Sequence, residues 1–326
     1  MADIICLRPA EDFTRVGASI PTEWDIAFRK PADADVPDLL GGARAVVLPS
    51  AGPHLPGELF RTAHGLQLIQ YTGAGWDRIA EPIVRELGCP VANVPGVNAK
   101  DVAEYVVIAA GMLLRRFKLG DRLMWGGEFD LARGELAAER ARGFTDLTIG
   151  VVGLGHIGLA VGKAFRAFDA RVLYYDPKPL DPEAASAAGI IPAAMSDLLD
   201  AADVVSVHVP LLPATVGMLG EAELARLKPE AIVVQASRGG VVNEEVLLRL
   251  VESGRIAGAA LDVFAREPLP PDDPILLKRA ALFDRILLTP HIAGVTRQAA
   301  VRLYEAAWAN VARVLKDRLP PTNRVL

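Results

Sequence analysis

The chain has 326 residues, 51% of them hydrophobic and 23% charged, and its 35 Lys and Arg against 40 Asp and Glu give a formal net charge of −5. That length favours two domains, and that apolar content supplies a buried core and excludes a disordered chain. The acidic excess lacks the clustered Lys and Arg that phosphate backbones demand, so no nucleic-acid partner is expected.

Cys6 and Cys89 are too few for a disulfide scaffold and stand apart from any histidine cluster. Two reduced thiols and no metal site are therefore expected. The start of the chain shows no basic region followed by a long apolar stretch, and the run VVIAAGMLL (106–114) is far too short to span a bilayer. The expectation is a cytoplasmic protein without membrane contact.

In chain order, short β-branched runs alternate with helix-like segments. DIICL (3–7), DIAFR (25–29), AVVLPS (45–50), LQLIQYT (66–72) and PVANVP (90–95) read as strands. The spacing then predicts a helix over 99–118, with Asn98 placed to cap it. The stretch 119–146 is rich in charge and glycine, carries Trp125 and Phe129, and reads as an arm rather than a packed layer. Six further strands follow: LTIGVVG (147–153), RVLYYD (171–176), VVSVHVP (204–210), AIVVQAS (231–237), AGAALDVF (257–264) and RILLTPH (285–291). A last helix is expected over 295–318, with Val295, Ala299, Leu303, Ala307, Val311 and Leu315 along one face. Runs apolar on both faces and separated by helices indicate parallel sheets covered on each side. Eleven strands exceed one comfortable open sheet, so two α/β units are inferred.

The segment GVVGLGHIGLAVGKAF (150–165) carries glycines at fixed spacing between a strand and a helix. That is the order a dinucleotide turn needs. Gly153 permits the tight turn, Gly155 lets a pyrophosphate approach the backbone, and Gly158 lets helix and strand pack closely. His156 and Ile157 complete the turn, where the helix N-terminus offers unpaired N–H groups. Asp176 ends the next strand, 18 residues beyond Gly158, and a carboxylate there accepts hydrogen bonds from the adenosine ribose. It also repels a 2′-phosphate, favouring NAD over NADP, although Lys178 nearby blunts that preference.

Downstream, three more strands end in residues suited to hydride-transfer chemistry: Arg238, then Asp262 and Glu267, then His291. Ligands of open α/β sheets bind outside the carboxyl ends of strands, where these four can converge. Read singly, each has a blander explanation: Arg238 a surface ion pair, Glu267 a turn initiator, Asp262 a cap, His291 a structural histidine.

Together the motifs are more specific. The sequence resembles the NAD-dependent D-2-hydroxyacid dehydrogenases through GLGHIG, HVPLLPATVGML, SRGGVVNEEVL, LDVFAREPLP and TPHIAG in family order, from about Leu66 to about Gly294. The resemblance implies two Rossmann-like doubly wound parallel-sheet domains, with the NAD-binding domain (98–293) inserted into a discontinuous flavodoxin-like substrate domain (1–97 and 294–326). It implies that Arg238 grips the substrate carboxylate through its planar fork and that His291 is the acid–base residue. Glu267 would bond the other ring nitrogen of His291 and fix its tautomer. Asp262 would lie beside the nicotinamide, and Val102, in DVAEY (101–105), against its ring. His208, Pro210, Thr215 and Ser237 fall where the family lines its cofactor site, although His208 alone reads more simply as packing. QYTGAGWDRI (70–79) would bring the Ala74 and Gly75 N–H groups to the substrate carboxylate. A homodimer using the arm at 119–146 is also implied.

Two departures from the pattern bear on the substrate. Residue 235 is Gln where relatives commonly have Asn, and the stretch IQYTGAG lacks the arginine with which phosphoglycerate dehydrogenases hold a phosphate. A small unphosphorylated 2-oxo acid such as glyoxylate, hydroxypyruvate or pyruvate is therefore expected, in a short form without a regulatory domain. The alternatives are a D-3-phosphoglycerate dehydrogenase and an NAD-sensing, corepressor-like binding protein.

Overall fold

The computed structural model describes residues 2–137, 141–278 and 282–326. The chain divides into two compact units, Met1–Asn98 with Val295–Leu326, and Ala99–Gly294. Both are α/β.

The first unit holds β1 (Ile4–Cys6), β2 (Ile26–Phe28), β3 (Ala45–Leu48), β4 (Leu68–Tyr71) and β5 (Val91–Ala92) in the order β2-β1-β3-β4-β5. All pairings are parallel, and the order is that of flavodoxin-like sheets. The second holds β6 (Thr148–Val152), β7 (Arg171–Tyr175), β8 (Ile190–Pro192), β9 (Val204–Val207), β10 (Ile232–Gln235), β11 (Gly258–Leu261) and β12 (Ile286–Leu288). Their order, β12-β11-β10-β9-β6-β7-β8, is the doubly wound Rossmann order with one strand added, again all parallel.

The strands are mostly apolar because each sheet has a core on both faces. In β9, Val205 and Val207 enter one core while their neighbour Val204 enters the other, all fully buried. Each such side chain contributes roughly 1.5–3 kcal/mol by leaving water. In the first unit Ile5 and Val46 pack on one side of the sheet, Ile4 and Val47 on the other. Cys6 and Cys89 are buried and unbonded, and burial pushes their thiols up, to about 12 and about 11.

Four expectations need correcting. The helix predicted over 99–118 runs only from Ala99 to Leu114, because Arg116 turns left-handed (φ 51) and starts a second helix, Phe117–Trp125. RRFK contains no sequence breaker; beyond the turn, Leu119 and Leu123 are buried with Ala132 in a small cluster of their own. Asn98 does not cap the first helix, for its Oδ1 is buried without a hydrogen-bond partner. The last helix spans Arg297–Leu315, capped by Thr296, and Val295 lies outside it and exposed. The arm reading of 119–146 is replaced, over its described residues, by two short helices, the second Phe129–Ala137; residues 138–140 lie outside the described residues. One strand, β8, was not expected: three residues at a sheet edge, with Ile191 exposed and Pro192 last, carry no run long enough to read.

Candidate active site

The glycine turn leaves β6 and enters the His156–Arg166 helix. A Cβ on Gly158 would lie 2.0 Å from the Gly153 carbonyl oxygen, and one on Gly153 (φ +91) would lie 2.8 Å from the His208 carbonyl carbon. No side chain fits at either. Gly155, the residue before the helix, has no neighbour within 4 Å of a Cβ position, so its backbone faces open space at the helix N-terminus. His156 is exposed beside it and Ile157 half-buried, and the first helical turn carries no acid to oppose an anion. These residues fit a pyrophosphate. Asp176 follows β7; its Oδ2 accepts from Leu154 N–H (2.7 Å) and its Oδ1 from Lys178 N–H (2.8 Å). The carboxylate is thereby fixed beside the turn, with acceptor capacity left on each oxygen.

The remaining candidates in the second unit follow the same sheet edge. His208 and Pro210 leave β9, Ser237 and Arg238 leave β10, Asp262 and Glu267 leave β11, and His291 leaves β12. Thr215 Oγ1 donates to Pro210 O (2.6 Å) and accepts from Leu212 N–H (2.8 Å), closing the loop after β9. Gln235 Oε1 accepts from Ser237 Oγ (2.9 Å) while its Nε2 donates to Arg238 O (2.8 Å), so Gln fixes the turn before Arg238. Val102 is 3% exposed, packed within the core under the Ala99–Leu114 helix, and offers no open face of its own. Ala74 and Gly75 lie in the first unit on the loop after β4, where Ala74 O accepts from Asn93 Nδ2 (2.6 Å).

Chemistry concentrates where β10, β11 and β12 end. His291 Nδ1 stands 2.7 Å from Glu267 Oε2, leaving Nε2 for another partner. Glu267 Oε1 accepts from Phe264 N–H (3.0 Å). Burial raises the Glu267 carboxyl, but His291, the Phe264 N–H and the Arg238 charge together outweigh it and hold the group below the usual carboxylate range. Glu267 is thus ionised at neutral pH.

His291 has left-handed backbone (φ 56), a conformation worth on the order of 1 kcal/mol or more of strain in a non-glycine residue. Asp262, 1% exposed, holds it there. Its Oδ1 accepts from Ile292 N–H (2.8 Å) and Thr289 Oγ1 (2.6 Å), and its Oδ2 from Ala293 N–H (2.8 Å). Tyr105 OH closes the chain at 2.6 Å from Thr289 Oγ1. Sequence reasoning missed Tyr105 and Thr289. The available signal was Tyr105 standing three residues beyond Val102 on the same helix face.

His208 behaves otherwise. Its Nε2 meets Ser206 Oγ at 2.7 Å, its Nδ1 is buried without a partner, and burial pushes its pKa down to about 3. It is neutral at pH 7 and a poor proton carrier. Among the described residues no group of three His, Cys, Asp or Glu is placed to hold a metal, and no helix is long and apolar enough to cross a membrane.

Residues 107–293 match the family model for the NAD-binding domain of D-isomer specific 2-hydroxyacid dehydrogenases. The chain is 36% identical over 271 residues to a glyoxylate reductase of Thermofilum pendens, covering 81% of this chain and 76% of that protein. It is 34% identical over 268 residues to a D-3-phosphoglycerate dehydrogenase of Archaeoglobus fulgidus, covering 82% of this chain and 49% of that protein. The solved structure of a D-isomer specific 2-hydroxyacid dehydrogenase from Lactobacillus delbrueckii ssp. bulgaricus, in its NAD-complexed form, superposes with a TM-score of 0.79 at 25% identity over 99% of both chains.

Proposed function

Because the chain belongs to the D-isomer specific 2-hydroxyacid dehydrogenase family and is an NAD-linked oxidoreductase of 2-hydroxy acids, we propose that it interconverts a small unphosphorylated 2-oxo acid and its D-2-hydroxy acid, of the glyoxylate, hydroxypyruvate or pyruvate type. The observation that carries this is the 2.7 Å His291–Glu267 pair, with Arg238 close enough to act on the Glu267 charge.

NAD supplies or takes the hydride when bound at Gly153, Gly155 and Gly158, with Asp176 on the adenosine ribose. His291 Nε2 delivers a proton to the substrate carbonyl oxygen in reduction and recovers it in oxidation. Glu267, ionised and bonded to Nδ1, keeps the ring in the tautomer and orientation that this transfer needs. Arg238 orients the substrate carboxylate, and Ala74 and Gly75 are assigned carboxylate contacts through their backbone N–H groups. Pro210, Thr215, Ser237 and Asp262 shape and brace the cofactor side, with His208 as neutral packing.

The first unit supports an unphosphorylated substrate. Gln70 is fully buried, its Nε2 bonded to Tyr71 O and its Oε1 to Asn310 Nδ2, and Tyr71 and Thr72 are buried neutral residues. Arg78, also buried, directs Nε to Pro53 O and Nη1 to Pro49 O. A 3-phosphoglycerate-type substrate is the alternative that the same test addresses. The protein acts as a cytoplasmic homodimer, its subunits joined through the helices at 117–137.

The test is turnover with NADH across a panel of 2-oxo acids, phosphorylated and not, with His291→Ala beside the wild type. Small unphosphorylated acids should turn over best, and His291→Ala should lose about 10²- to 10⁴-fold in kcat while NADH binding persists. Preference for the phosphorylated acid would reverse the substrate assignment. Near-normal turnover without His291 would remove it from the mechanism.

A further inference from the structure

Glu244 lies in the segment SRGGVVNEEVL but has no part in the chemistry above. It is the first residue of the Glu244–Glu252 helix, where an acid would suit the helix dipole whatever surrounded it. Ordinary capping there is done by its neighbour: Asn243 Oδ1 accepts from Val246 N–H at 3.1 Å. Glu244 reaches elsewhere. Its Oε1 accepts a 2.7 Å hydrogen bond from Ala265 N–H, and the Gly240 N–H also pulls on its carboxylate.

Those two N–H groups belong to the two turns that hold the reacting side chains. Gly240 is two residues past Arg238, and Ala265 is two residues before Glu267. The turns also touch directly, since a Cβ on Gly239 would lie 2.0 Å from the Phe264 carbonyl carbon and oxygen. No side chain is possible at that crossing, so any tie between the two turns beyond their own backbone contact must come from a third group. Half-buried Glu244 is that group, and burial pushes its carboxyl up against the opposing pull of the two N–H groups.

We propose that Glu244 is a positioning residue that staples the Arg238 turn to the Glu267 turn, setting how the carboxylate clamp stands relative to the proton carrier. The inference rests on the reading of Arg238, Glu267 and His291 as the reacting set. Its consequence is kinetic. Removing the staple misplaces two groups at once, and a displacement of about 1 Å at a reacting centre lowers rates by as much as about 100-fold.

The experiment compares Glu244→Ala and Glu244→Gln, using hydroxypyruvate and glyoxylate as probe substrates, NADH fluorescence for cofactor affinity, and thermal melting for folding. Glu244→Ala should lower kcat/KM about 10- to 100-fold with NADH affinity within about twofold of wild type. Glu244→Gln keeps an acceptor oxygen for the two N–H groups and should recover most of that loss. Should the Ala variant fail to melt cooperatively, Glu244→Asp, whose carboxylate is one methylene short, should show the same kinetic loss with NADH binding intact. An Ala variant, or in its place an Asp variant, within about twofold of wild type overturns the staple. So does a Gln variant as impaired as Ala, or a loss that follows NADH affinity. His291→Ala in the same series separates the two levels. If that variant is inactive while the Glu244 variants are normal, only the staple fails; if it is fully active, the reacting set falls and the staple with it.

Discussion

His208 and His291 leave the same carboxyl edge of one sheet, after β9 and β12, yet their surroundings give them opposite chemistry. His291 faces an ionised carboxylate at 2.7 Å, whereas the His208 ring meets only a hydroxyl on one side and no partner on the other. Sequence spacing alone distinguished them only through the Glu267 and Arg238 that accompany His291; burial is what fixes His208 as neutral. That burial has a measurable cost in acid. Burial pushes the His208 pKa from the usual 6.5 down to about 3 in the folded chain, so between those values the unfolded chain binds the extra proton. Stability from this residue is complete above pH 6.5 and is lost as pH falls through the window down to about 3, at up to about 1.4 kcal/mol per pH unit. Urea denaturation at pH 6.5, 5.5 and 4.5 should therefore show a shallower decline for His208→Gln than for wild type. Parallel declines would mean the ring is protonated in the folded protein.

At the scale of elements, residue types were legible and boundaries were not. The strand ends announced Arg238, Glu267 and His291 because a parallel sheet must place its functional loops at carboxyl ends, and all three lie there. Of the brace beneath His291 only Asp262 was singled out in the sequence, and as a neighbour of the nicotinamide, because the members are far apart in the chain: Tyr105 on a helix, Asp262 after β11 and Thr289 after β12. Thr289→Val tests that brace with little change of shape. It removes the hydroxyl that donates to Asp262 and meets Tyr105, leaving the tyrosine OH without its partner. A stability loss of about 1–3 kcal/mol is expected. Burial already raises the Asp262 carboxyl and the Thr289 hydrogen bond opposes that rise, so the variant's carboxyl should move higher still. Ionised Asp262 is then lost at a higher pH on acidification, releasing the Ile292 and Ala293 N–H groups. The acid limb of kcat against pH should shift upward in Thr289→Val; an unchanged limb with unchanged turnover would show that the loop holds His291 unaided.

For the whole molecule, alternation of strand and helix was enough to give two α/β units with parallel sheets, since runs apolar on both faces need a layer on each side, while the doubly wound order came from the family resemblance. What alternation cannot report is which surface is meant to be covered by another chain. The helices Phe117–Trp125 and Phe129–Ala137 expose Phe117, Met124, Trp125, Phe129 and Leu131, each at least half accessible and Trp125 at 86%. So many large apolar side chains within fifteen positions are a poor surface for a monomer and a good one for self-association. Aromatic anchors at such a face carry much of the binding energy, and removing one commonly costs about 2 kcal/mol or more. Trp125→Asp adds the expense of a buried charge, so sedimentation at micromolar concentration should find the wild type dimeric and the variant monomeric. A wild type that sediments as a monomer, or a variant that remains dimeric, would assign this apolar face to something other than a second copy of the chain.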